Sequence, residues 1–136
     1  MVLDAKQLVE SLRSQVKEIN VTQLHEISQD KPAAIVIDVR EVAETALGFI
    51  PNAVLIPRGV LEMSISSEKT IKERFPTLVM LTEQPVYLVC RSGARSLLAA
   101  VSLQQMGFKN VYSVAGGFLA WQAAGYKCVN TNGRRI

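Results

Sequence analysis

The sequence predicts an α/β domain of three layers, a mainly parallel sheet of about five strands with helices on both faces. Short apolar runs at 33–37, 54–56 and 86–89 are continuous and not alternating, the pattern of parallel strands covered on both sides. Helical patterns separate these runs, as parallel crossovers require. With 136 residues, 49% of them hydrophobic, the chain can bury one core.

Composition narrows the function classes. Fifteen basic against twelve acidic residues give a net charge of +3 without a long basic run, so neither nucleic acid nor a membrane surface is expected as partner. No basic start leads into an apolar signal core, and no apolar run approaches the roughly 20 residues that span a bilayer. Two cysteines are too few for a disulfide framework. An exposed reactive thiol lasts best in a reducing compartment, so a cytoplasmic location is expected.

Taken in order, residues 4–18 place Leu8, Val9, Leu12, Val16 and Ile19 on one helical stripe, with Asp4 as N-cap. This amphipathic helix (1–20) is expected to pack on the main domain (21–128), or to dock a protein partner through the same stripe. Thr22 is read as the cap of a second short helix containing His25, the only histidine, which lacks metal-ligand spacing. A strand at 33–37 follows and delivers Asp38 and Arg40 at its carboxyl end, where open parallel sheets bind ligands. A short helix over 41–46, a strand at 54–56 and a helix over 67–75 capped by Ser67 come next. The strand at 86–89 then leads into a helix holding Leu97, Leu98, Val101, Leu103 and Met106, with Gly107 as its stop. A last strand at 109–114 turns at Gly116-Gly117 into a helix with a packing Trp121, and the tail (129–136) is expected to fray.

The chemistry gathers at Cys90-Arg91-Ser92-Gly93-Ala94-Arg95-Ser96, between a strand and a helix. Backbone N–H groups of such a loop and the positive end of the helix converge on an anion, and Gly93 supplies the positive φ that the turn needs. A Cys90 thiolate nucleophile is therefore expected, with Arg91 and Arg95 as guanidinium forks for a sulfur or phosphorus oxyanion. No metal or organic cofactor is called for.

This loop resembles the active-site loop of rhodanese-family sulfurtransferases. Asp38-Val39-Arg40-Glu41 followed by Gly48-Phe49-Ile50-Pro51-Asn52-Ala53-Val54-Leu55-Ile56-Pro57 is similar to the family's first signature, and Gly116-Gly117-Phe118-Leu119-Ala120-Trp121 to its closing segment. Phe49 replaces the usual histidine and Asn52 the usual glycine, though asparagine tolerates left-handed geometry. The resemblance covers about residues 21–128. It implies a Cys90 persulfide, amides from Arg91 to Ser96 around the sulfur, and Asp38 and Arg40 as braces of the loop. It places Glu44 near the pocket, where a carboxylate repels an anionic donor or is simply solvated. Phe49 and Arg58 are further rim candidates.

The expected reaction moves sulfane sulfur from thiosulfate or a persulfide donor to cyanide, a thiol or a protein acceptor. Rival readings are a partner-dependent relay or regulatory module, and a cysteine phosphatase or arsenate reductase. The latter enzymes place five residues between cysteine and arginine, where this chain has four. Cys128 is either a resolving thiol or a bystander.

Overall fold

The computed structural model describes residues 1–132 and 134–136. Five strands, β1 (Lys17–Ile19), β2 (Ile35–Asp38), β3 (Val54–Leu55), β4 (Pro85–Val89) and β5 (Asn110–Val114), form one sheet in the order β1-β5-β4-β2-β3. Every pairing is parallel. Eight α-helices accompany them among the described residues: α1 (Ala5–Leu12), α2 (Val21–Asp30), α3 (Val42–Thr45), α4 (Leu61–Ser64), α5 (Lys69–Arg74), α6 (Leu78–Thr82), α7 (Ala94–Gln105) and α8 (Gly117–Ala123).

Alternation along the strands divides the core in two. Ile35, Ile37, Val86, Leu88 and Val111 face a layer that includes Val9 of α1, Leu61 of α4, Ile71 of α5 and Leu97 of α7. Val36, Val89 and Val114 face the opposite layer with Leu24 of α2 and Phe118 and Trp121 of α8. The three-layer α/β architecture expected from the apolar runs is therefore present. His25 belongs to this second layer, stacked on Tyr126 at 4.0 Å between ring centroids.

Several local expectations are corrected. The helix expected to fill the first 20 residues stops at Leu12, and after a turn of 3-10 helix the chain extends into β1, which pairs Lys17 with Tyr112 and Ile19 with Val114. The stripe drawn through Val16 and Ile19 thus joins a helix and an edge strand. β-Branched Val16 and Ile19 suit the extended form, and the open edge of β5 supplies the hydrogen bonds. Asn20, not Thr22, caps α2 by accepting from the Gln23 N–H at 2.8 Å. Glu68, not Ser67, caps α5. The helices α4 and α6 had no signature strong enough to be read.

The tail also departs from expectation. Val129 bridges both Phe49 and Arg135 in antiparallel fashion, and the Ile136 N–H donates to the Cys128 carbonyl at 3.2 Å. Gly133, part of the tail expected to fray, lies outside the described residues. Among the described residues no helix is long and apolar enough to cross a membrane.

Candidate active site

The site is assembled at the carboxyl rim of the two central strands. Asp38 at the end of β2 lies in register with Val89 of β4, so Asp38 and Cys90 leave the sheet side by side. The Val39 N–H donates to the Val89 carbonyl at 2.8 Å, which carries the pairing one residue past the strand.

Cys90 is buried, with 1% of its surface exposed, and so is less open than a freely exposed thiol. The loop wraps it. Gly93, at φ +116°, directs its N–H to Sγ at 3.1 Å and caps α7, whose positive end favours an anion at the same point. Ser96, one turn into α7, puts its hydroxyl 3.4 Å from Sγ. That hydroxyl is in turn held by Ser113 of β5 at 2.8 Å and by the Gly93 carbonyl at 3.2 Å. Ser113 was not anticipated, although a serine beside Val111 and Val114 in a buried strand was the available signal.

When Cys90 loses its proton, the Ser96 hydroxyl can turn from the Gly93 carbonyl to donate to sulfur. A hydrogen bond to a charged group contributes about 1.5–3 kcal/mol, so Ser96→Ala is expected to lower kcat/KM about ten- to hundred-fold. Steady-state kinetics on a variant with unchanged secondary structure checks this. A change under twofold would remove Ser96 from the account.

Below the loop, α8 holds it from behind. Phe118 and Leu119 N–H groups donate to the carbonyls of Cys90 and Arg91 at 2.8 and 3.1 Å. Gly117 permits that approach: its φ is +57°, and a Cβ there would lie 2.4 Å from the Cys90 carbonyl oxygen and 2.6 Å from that of Arg91. The Gly116-Gly117 pair, expected only as a turn into the last helix, thus also lets α8 buttress the loop.

Asp38 and Arg40 form a buried ion pair at 2.8 Å, with side chains 1% and 5% exposed. Arg40 also donates to the Gly48 carbonyl at 2.8 Å and stacks on Phe118, with its guanidinium carbon 4.1 Å from the ring centroid. It thereby ties β2, the segment after α3, and α8 together around the loop.

The two loop arginines differ in their surroundings. Arg91 is exposed and, among the described residues, makes no ion pair. Arg95 is clasped by Glu44 of α3 in a bidentate pair, Nη1 to Oε1 at 2.6 Å and Nη2 to Oε2 at 2.9 Å. Hydrogen bonding from Arg95, added to by the Glu41 N–H, holds the Glu44 carboxyl at about 2, so it is ionised throughout the neutral range. Beside the loop, Arg91, Glu44, Leu47, Phe118 and Leu119 line a cavity of about 200 Å³.

The remaining candidates lie elsewhere. Arg58 pairs with Glu62 at 2.9 Å and does not line this cavity. Phe49 lines a different groove with Pro51 and Val129, while Asn52 adopts the left-handed conformation (φ +68°) that its place in the turn requires. Cys128 packs in the α2/α8 layer and Cys90 in the α7 layer; burial pushes the Cys128 thiol up. Among the described residues no cluster of three or more His, Cys, Asp or Glu side chains has metal-binding geometry.

Comparison with known proteins adds four findings. The rhodanese-like domain family matches residues 20–124. A sulfurtransferase of Allochromatium vinosum is 30% identical over 118 residues, spanning 87% of this chain and 99% of its own. A thiosulfate sulfurtransferase of Pseudoalteromonas translucida is 32% identical, spanning 79% and 90%. Among solved structures, a Rhodopseudomonas palustris protein described as of unknown function and a possible tyrosine phosphatase superposes with TM-score 0.78 at 25% identity, covering 93% of this chain and 94% of that one.

Proposed function

The chain belongs to the rhodanese-like family, and on that premise we propose that it is a sulfurtransferase working through a persulfide on Cys90. The Cys90 thiolate attacks the outer, sulfane sulfur of the donor. A new S–S bond forms, the donor's bond breaks, and the electron pair leaves with sulfite or a thiolate. An acceptor nucleophile, such as cyanide, a thiol or a protein thiolate, then removes the outer sulfur and regenerates Cys90. The Gly93 N–H and the Ser96 hydroxyl stabilise negative charge on sulfur, and Arg91 meets the donor. Asp38 and Arg40 act as positioning residues. Two free thiols fit a reducing, cytoplasmic setting.

The observation that carries the reading is the fit of one sulfur atom, held by an amide at 3.1 Å and a hydroxyl at 3.4 Å, in a loop with only four residues between Cys90 and Arg95. The possible tyrosine phosphatase among the structural neighbours gives the phosphoryl reading a hearing. Against it, Arg95 at the far end of the loop is committed to Glu44, which leaves Arg91 alone to meet a phosphate.

Steady-state turnover tests the reading. With a sulfane-sulfur donor and cyanide, thiocyanate should form with the wild type and fall to background with Cys90→Ser. Phosphatase turnover without sulfur transfer would overturn the assignment.

A further inference from the structure

We propose that Glu44 selects the sulfur donor by occupying Arg95, turning the site from dianionic thiosulfate towards a monoanionic organic persulfide whose apolar body rests against Leu47, Phe118 and Leu119. This rests on the sulfur-transfer reading and narrows its donor class.

Of the three arginines around the loop, Arg40 is neutralised by Asp38 at 2.8 Å and Arg95 by Glu44 at 2.6 Å. Only Arg91 is left to meet an anion. Glu41, at the start of α3, adds further negative field at Arg95. One cation matches the single charge of a persulfide anion and leaves half the charge of thiosulfate unmatched. The pair is built in: Glu44 Oε1 also accepts the Glu41 N–H at 2.9 Å, so the carboxylate is fixed by its own helix.

The second observation is the cavity of about 200 Å³ lined in part by Arg91 and Glu44, beside the loop. Leu47 is 80% exposed and Leu119 43%, with the Phe118 ring behind them. Arg40 and Gln122 complete the cavity's lining, but its apolar walls themselves give a small tetrahedral oxyanion nothing to bond. They do bury an organic substituent.

The step balances as a thiol exchange. The Cys90 sulfur bonds to the terminal sulfur of R–S–S⁻, the donor S–S bond breaks, and R–S⁻ leaves with the electron pair and takes a proton from water. No external oxidant or reductant enters.

The test measures second-order rate constants for loading Cys90, by mass spectrometry of the Cys90 peptide, with thiosulfate and with benzyl persulfide released in situ. Each is normalised to the same donor's reaction with free cysteine. Wild type should favour the persulfide at least about tenfold, and Glu44→Gln should raise the thiosulfate-to-persulfide ratio about tenfold by freeing Arg95. Structural damage alone would lower both constants and leave the ratio in place. A wild-type preference for thiosulfate, or an unchanged ratio in Glu44→Gln, overturns the proposal while sulfur transfer stands. If neither donor loads wild-type Cys90, the functional reading falls first.

Discussion

Replacing Gly117 by alanine is expected to lower kcat/KM for sulfur transfer by about a hundred-fold or more. An added Cβ meets the Cys90 and Arg91 carbonyl oxygens at 2.4 and 2.6 Å, and both are backbone atoms that cannot swing aside. The φ of +57° adds strain for any residue with a side chain. Relief comes by displacing the loop, and misplacement of a catalytic group by about 1 Å costs on the order of a hundred-fold. Gly59 is the control: its φ is not in the left-handed region and no heavy atom lies within 4 Å of its Cβ position, so Gly59→Ala should stay near wild type. Parallel kinetics on the two variants decides the matter, and equal activities would show that α8 does not set the loop.

Asp38→Ala should destabilise the fold by about 3–5 kcal/mol, the cost of leaving a buried charge without its partner. Arg40 is 5% exposed and carries its charge among Asp38, the Gly48 carbonyl and the Phe118 ring. Without the carboxylate, one carbonyl and one ring remain to offset it. Urea unfolding measures the loss as a lower midpoint at unchanged slope. A loss under about 1 kcal/mol would mean that Arg40 reaches water and that the pair does not brace the rim.

The parallel sheet and the cysteine loop were legible because each is written in consecutive residues. Apolar runs of four or five residues become β2 and β4, and their register puts Asp38 beside Cys90 as the rim rule expects. What stayed hidden depends on partners distant in sequence. Lys17–Ile19 reads as the end of a helix until the open edge of β5 offers it a strand. The Arg95–Glu44 pair joins positions 51 residues apart, so Arg95 read as an unpaired cation and Glu44 as a rim charge. Ser113 and Gly117 act through contacts with a loop that precedes them in the chain, and neither has a local signature for that role.

The most direct test for a Cys90 persulfide is the intact mass of the protein after incubation with a sulfane-sulfur donor. Sulfur transfer through Cys90 gives a gain of about 32 Da, one sulfur, that maps to Cys90, disappears with cyanide or thiol, and is absent from Cys90→Ser. An adduct on Cys128 alone, or none from either thiosulfate or a persulfide, would contradict sulfur transfer through Cys90.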